Sequence, residues 1–312
     1  MLLNNLFYFM IFSFLLILSG IFLIKSLEKI AKFFRISQFT AAFILMAFAT
    51  SIPELLVGIS SAIQGNPALS LGNIIGANII DLTLITGIFV LLSKGKELKT
   101  KKIGVGVYPM FGSIFLIILL YIIGNSLSRI DGAILLIFFG ANSYRMFRKK
   151  EKYNKELSKQ TTKDNKIFYA FLFISSLIVL FFSAQYLVKY SSIIAEELGV
   201  PQLIIGLFLI SFATTLPELV FGIGAVLSGR SEMALGDQTG AVFTHTTLII
   251  GLVSVIHPIS AALLPLVISV ISMSLAASLF VIFIRSGRKL DFLEGLSLIL
   301  FYAFFVAIQF FI

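Results

Sequence analysis

One segment of this chain occurs twice. Residues 45–87 read LMAFATSIPELLVGISSAIQGNPALSLGNIIGANIIDLTLITG, and residues 209–251 read LISFATTLPELVFGIGAVLSGRSEMALGDQTGAVFTHTTLIIG. A constant offset of 164 aligns the copies without a gap, and 18 of the 43 aligned pairs are identical. Each copy sets a glutamate, Glu54 or Glu218, directly after a proline inside an otherwise apolar stretch. A carboxylate in such surroundings is costly, so two at equivalent positions point to a shared ion site between two related halves of a membrane protein.

The setting is apolar throughout. Hydrophobic residues make up 58% of the 312 and charged residues only 12%, against about 25% charged in a soluble domain. Apolar runs of helix-spanning length recur over 6–25, 38–64, 68–93, 104–123, 130–147, 167–189, 198–228, 233–256, 258–284 and 292–311. The pattern predicts an all-α membrane protein of about ten transmembrane helices, the longer ones kinked. The chain has no cysteine, which excludes disulfides, zinc thiolates and cysteine nucleophiles. The opening MLLNNLFYFM lacks a basic stretch, so the first helix reads as a retained span and not a cleaved signal.

The net charge of +9 would suit a nucleic acid or an anionic surface, but its distribution argues for topology. If loops are numbered from ten helices, 22 of the 24 basic residues fall on one side, and only Arg129 and Lys189 lie near the other. The positive-inside rule makes the basic side cytoplasmic and places both termini outside. No nucleic-acid partner is expected; the lipid bilayer is, and a prokaryotic-type plasma membrane is the expected location. No feature signals an oligomer, so a monomer is expected.

The polar run 148–166 is the only long one and divides the chain into halves, 1–147 and 167–312, joined by a cytoplasmic linker. Each half holds five helices. An odd number sends the second half into the membrane from the opposite side, so the repeats are inverted, as in many secondary transporters. Residues 25–35, KSLEKIAKFFR, read as a short amphipathic piece on the inner membrane surface.

Within the first copy, Ala47, Thr50, Ser51 and Glu54 are spaced to share one helix face. Pro53 lacks an N–H and clashes with the carbonyl of Ala49, so the helix must kink or open and free backbone oxygens. Free carbonyls at membrane depth are tolerated where they line a cavity or are buried in protein. The second copy repeats the set as Ser211, Thr214, Thr215, Pro217 and Glu218. In the following helix Asn73, Ala77 and Asp81 lie four apart, with Asn78 beside them, and Asp237, Ala241 and His245 take those places in the second copy. Gly72, Gly76, Gly236 and Gly240 would keep these helices slim enough to pack closely. The expected centre is Glu54, Asp81, Glu218 and His245. Three carboxylates suit a hard cation, and calcium, which accepts 6–8 oxygens in irregular geometry, fits better than magnesium; sodium is the other candidate.

These motifs resemble the alpha repeats of the sodium/calcium exchanger family, within the cation/calcium antiporter superfamily. The matching stretches are ATSIPE with GNIIGANIID, and ATTLPE with GDQTGAVFTH. The resemblance implies a transporter and not an enzyme, without a resident cofactor, exchanging calcium for sodium by alternating access as the first helix of each half slides past a fixed core. It assigns ion binding to Glu54, Glu218, Thr50, Ser51, Thr214 and Thr215, with backbone carbonyls from Ala47 and Ser211. The chain departs from the family at Ala77 and Ala241, where serines help bind sodium, at the pair Asp81 and His245, and at Asp237, which replaces an asparagine that Asn73 retains.

Three readings of His245 follow. It replaces an amide as a neutral wall residue, or it takes up a proton during the cycle beside Asp81 or a motif glutamate, or it alters metal choice. The second would make the protein a proton/calcium antiporter, yet dedicated proton/calcium exchangers carry a GNxAE-type motif where this chain has TSxPE-type motifs twice. His257, before Pro258, reads as ordinary surface. A zinc protease would need a paired-histidine motif that is absent, and Leu235-Gly236-Asp237 only weakly echoes an intramembrane aspartyl protease. A passive cation channel and a non-transporting sensor are the remaining rivals.

Overall fold

A computed structural model describes residues 2–33, 47–93, 98–99, 104–148, 166–261, 263–286 and 289–310. The first half holds α1 (Leu2–Phe33), α2 (Ala47–Thr50), α3 (Ile52–Ile63), α4 (Pro67–Ile80), a π-helical turn at Asp81–Ile85, α5 (Thr86–Leu92), β1 (Leu98–Lys99), α6 (Gly104–Gly124) and α7 (Arg129–Arg148). The second holds α8 (Lys166–Leu198), α9 (Gln202–Ile205), a π turn at Gly206–Ile210, α10 (Ser211–Thr214), α11 (Leu216–Leu227) and α12 (Ser231–Thr244). It continues with a π turn at His245–Ile249, α13 (Ile250–Ile256), α14 (Leu263–Ser286), β2 (Lys289–Leu290) and α15 (Phe292–Phe310). From α2 to α5 every element boundary recurs 164 residues later, in α10 to α13.

Local chemistry explains these boundaries. Pro53 and Pro217 stand in the first turn of α3 and α11, where a missing N–H costs nothing. Both helices stop at a left-handed glycine, Gly65 (φ +78) and its repeat mate Gly229 (φ +73). Asn66 N–H then donates to the Ser61 carbonyl (2.8 Å) and Arg230 N–H to that of Ala225 (2.9 Å), closing each end with the same motif.

Among the described residues eight stretches are long and apolar enough to cross a membrane, and Ile52–Ile63 is a shorter apolar helix. α7, expected as a span, has 20 residues but is not among the eight; Asn142, Ser143 and Arg145 lower its hydropathy. Residues 25–33 do not form a separate surface piece. They continue α1, which runs unbroken for 32 residues, about 48 Å, because no proline or glycine interrupts Ile21–Phe33. Residues 34 and 35 and nearly all of the 148–166 linker lie outside the described residues.

The molecule has a dense centre and a looser pair beside it. Over an 18-residue apolar stretch, 83% of the residues are buried in Pro67–Leu92 and 78% in Ser231–Ile256, against only 22% in α8. The central cluster joins α4, α5, α12 and α13 to α6, α14 and α15. A separate cluster holds α1 against α8 through Phe9, Leu16, Ala184, Leu187 and Val188. Tyr8 stacks on Tyr190 and Phe12 on Tyr186 along this pair. α1 crosses both kinks: a Cβ on Gly20 would lie 2.8 Å from Pro217 Cγ and 3.6 Å from Pro53 Cγ. Two small antiparallel staples tie the halves together, Leu98 with Leu290 and Leu127 with Ile259.

Close helix crossing depends on glycine at specific points. A Cβ on Gly72 would lie 2.1 Å from the Leu203 carbonyl oxygen, and one on Gly206 would lie 2.2 Å from that of Leu69. Gly236, expected to do the same in the second copy, has no described atom within 4 Å of its Cβ position.

Candidate cation-binding site

The broken helices build the site. α2 ends at Thr50, Ser51 takes φ −78 and ψ 1, and α3 restarts with Glu54 in its first turn. Thr215 makes the same break between α10 and α11, with Glu218 in the first turn. Proline removes the hydrogen bond that would cross each break, so the carboxylate projects from a fresh helix N-terminus, whose dipole favours a negative charge. Glu54 and Glu218 are both fully buried.

Glu54, Glu218 and His245 converge. A carboxylate oxygen from each glutamate and an imidazole nitrogen lie within 4.8 Å of one another. Among the described residues, neither glutamate's oxygens meet a partner at hydrogen-bond geometry, nor does His245 Nε2. No lysine or arginine is among the buried described residues. Buried carboxylates are normally paired or coordinate metals. This donor set therefore fits a cation as its missing partner.

Asp81 is not one of that compact trio, but it is buried near enough for its charge to act on Glu54 and Glu218, and its Oδ2 has no hydrogen-bond partner among the described residues. Its carboxylate Oδ1 accepts from the Gln238 amide nitrogen at 3.2 Å, and the same nitrogen reaches the Asp81 backbone oxygen at 3.0 Å. His245 pairs with neither Asp81 nor a salt-bridging glutamate through Nδ1; that nitrogen lies 2.9 Å from Asn78 Oδ1. Asn78 Nδ2 donates to Met273 Sδ at 3.5 Å, which turns Oδ1 toward the imidazole. Asp81 and His245 are repeat mates, and each opens a π turn. π turns widen a helix locally and recur at functional sites.

The threonines and the polar residues of the neighbouring helices pair crosswise between repeats. Thr50 Oγ1 donates to Asp237 Oδ1 at 3.4 Å, and Thr214 Oγ1 donates to Asn73 Oδ1 at 3.1 Å. Each copy thus completes the other's wall, not its own. Asp237 Oδ2 and Asn73 Nδ2 remain unpartnered and buried. The Ser211 carbonyl already accepts from Thr215 N–H (3.0 Å), Thr215 Oγ1 (2.8 Å) and Thr214 Oγ1 (3.3 Å) in this conformation. Ser211 Oγ itself donates to the Leu207 carbonyl at 2.5 Å. Ala47 opens α2, and its side chain lies outside the described residues. His257 is exposed, with Nδ1 3.0 Å from the Pro258 oxygen, in keeping with ordinary surface.

Sequence reasoning passed over Gln238. Its repeat mate is Ile74, and an amide at an otherwise aliphatic repeat position needs a buried partner; that contrast was the available signal.

A profile of the family described as "Sodium/calcium exchanger protein" matches residues 4–148 and 168–311. The chain is 27% identical to "Sodium/calcium exchanger MaX1" of Methanosarcina acetivorans, over 96% of this chain and 99% of that one. It is 29% identical to "Uncharacterized membrane protein MJ0091" of Methanocaldococcus jannaschii, over 90% and 91% of the two chains. Its fold is similar to that of the sodium-calcium exchanger NCX_Mj, solved after soaking with Na+ and Sr2+, with a TM-score of 0.69 at 23% identity over 98% of this chain and 99% of that one. The helical fold, the paired broken helices and a profile match spanning both halves agree: the chain is a multi-pass membrane protein, a transporter and not an enzyme, and it belongs to the sodium/calcium exchanger family.

Proposed function

We propose that this protein exchanges calcium for sodium across the plasma membrane by alternating access. The observation that carries this reading is the buried convergence of Glu54, Glu218 and His245. Two donors on one ion lie at most twice the ion–donor distance apart, about 4.6–5.2 Å for calcium. The three donor atoms, all within 4.8 Å of one another, meet that condition. Thr50 with Asp237 and Thr214 with Asn73 form two flanking oxygen-rich pairs of a kind that suits sodium. Ser51 and Thr215 stand at the breaks, three residues before each glutamate, and complete the proposed ion-binding set.

The fold supplies the moving part of the proposal. α1 and α8 pack in a separate apolar cluster that also takes in Val57, Leu69, Ile205 and Ile210 of the repeat helices. They are the first helices of the two halves, 1–147 and 167–312, and their sliding past the kinks would expose the site to one side and then the other. Ten spans, both termini outside and a monomer complete the proposed arrangement.

Sodium is preferred over protons as the counter-ion because the chain carries TSxPE-type motifs twice where dedicated proton/calcium exchangers carry a GNxAE-type motif. A proton taken up by His245 beside Glu54 and Glu218 is the second reading, favoured by the closeness of the three groups. The test is radioactive calcium uptake into proteoliposomes, driven in separate runs by an outward sodium gradient and by an inside-acid proton gradient. Glu54→Gln serves as the blank. Uptake driven by sodium and lost in the blank is the expected result. Uptake driven only by protons would replace sodium with protons, and uptake retained in Glu54→Gln would remove the site from calcium transport.

A further inference from the structure

Calcium takes oxygen donors, so an imidazole in its site is chemically unexpected. His245 is fully buried, and its environment selects one tautomer. Asn78 Nδ2 is turned to Met273 Sδ, which leaves the Oδ1 facing His245 Nδ1 at 2.9 Å. An amide oxygen only accepts, so Nδ1 carries the proton and Nε2 carries a lone pair. Nε2 has no protein partner, and it is the nitrogen left to meet the two glutamates. A ring held through one nitrogen by a carbonyl, with the other aimed at carboxylates, is how proteins orient a metal-ligating histidine.

The make-up of the compact trio points the same way. Its donors are two carboxylate oxygens and one imidazole nitrogen, while Asp81 Oδ1 faces the Gln238 amide. The two amides exchange between repeats. Asn78 serves His245 and Gln238 serves Asp81, while their repeat mates Val242 and Ile74 are aliphatic. The asymmetry of the centre is therefore built by two dedicated second-layer contacts.

We propose that the Glu54–Glu218–His245 site also binds a divalent transition cation of the Mn²⁺-to-Zn²⁺ series, with His245 Nε2 as a ligand and Asn78 as its positioning residue. The inference rests on the reading that these residues form the transport site. Imidazole favours such cations, and affinity for a mixed nitrogen–oxygen site rises along that series. Zinc-like ions hold donors at about 2.0–2.2 Å, so all three donor atoms would lie within about 4.4 Å of one another when such an ion is bound.

Co²⁺ is the probe, because its visible d–d bands report nitrogen ligation directly. Purified protein in detergent is titrated with Co²⁺ and with Ca²⁺, and Co²⁺ inhibition of calcium uptake is measured in proteoliposomes. Expected are competitive inhibition by Co²⁺, and a His245→Asn protein whose Co²⁺ affinity falls at least about tenfold further than its Ca²⁺ affinity. Asn78→Leu should weaken Co²⁺ by about 10–100-fold, the usual cost of losing such a support. The comparison is a ratio within each variant, so a general loss of folded protein does not mimic it, and His245→Gln serves if the asparagine variant fails to fold. A Co²⁺/Ca²⁺ affinity ratio unmoved by His245→Asn, or Co²⁺ competing no better than Mg²⁺, overturns the proposal. If calcium uptake survives Glu54→Gln, the transport-site reading fails instead.

Discussion

Gly76 is the point at which packing and the site meet. A Cβ there would lie 2.2 Å from the Leu207 carbonyl oxygen, 2.7 Å from Ser211 Oγ and 2.8 Å from Ser211 Cβ. Ordinary contact begins at 3.4 Å, so Gly76→Ala must move α4 and the α9–α10 segment apart by at least 3.4 − 2.2 = 1.2 Å. The clash is with backbone, which cannot swing aside. Over-packing of this kind costs about 1–3 kcal/mol. A separation of that size also breaks the 3.1 Å bond from Thr214 to Asn73, worth about 0.5–1.5 kcal/mol. The expected loss is then about 1.5–4.5 kcal/mol, with weaker calcium binding because Thr214 and Asn73 line the proposed site. Thermal unfolding in detergent and calorimetric calcium titration read the two effects. Gly140→Ala in α7 is the control, since no atom lies within 4 Å of its Cβ position, and alanine there gains helix propensity. A Gly76→Ala protein as stable as the control, with native calcium affinity, would refute the reasoning.

Further outcomes follow from the same geometry. Glu218→Gln removes one buried charge from the cation and should cost about 3–5 kcal/mol of binding, roughly 10²–10⁴-fold in calcium affinity by calorimetry. Gly222→Ala places a Cβ in the ring of Phe89 and should lower the unfolding temperature; Phe89→Leu in the same chain should recover part of the loss. Gln238→Leu strips Asp81 of its amide donor and should cost about 1–3 kcal/mol of stability, together with a changed Co²⁺/Ca²⁺ affinity ratio.

The repeat, the kinks and both glutamates were legible in the chain because each has a local cause. A proline removes a hydrogen bond wherever it stands, and an offset of 164 can be counted. The extent of α1 was misread. The charges of Lys25, Lys29 and Lys32 suggested a turn onto the membrane surface, but nothing in the backbone stops the helix before Phe33. The contact of Asp81 was not legible for a different reason. Its Oδ1 meets Gln238, 157 residues away, and no local spacing encodes that pairing.

By itself the sequence determined the class of fold, the inverted duplication, the places where helices must break, and the carboxylates that need a cation. Those follow from hydrophobicity, proline chemistry and the cost of burying charge, which act within a few residues. The tertiary structure alone decided which polar groups meet. Inverted repeats interlock, so Thr50 finds Asp237, Thr214 finds Asn73, the Asn78 amide meets His245 and the Gln238 amide meets Asp81. Such pairings depend on ångström-scale helix crossings set by glycines such as Gly72, Gly76 and Gly206, and no local pattern encodes a distance between helices far apart in the chain.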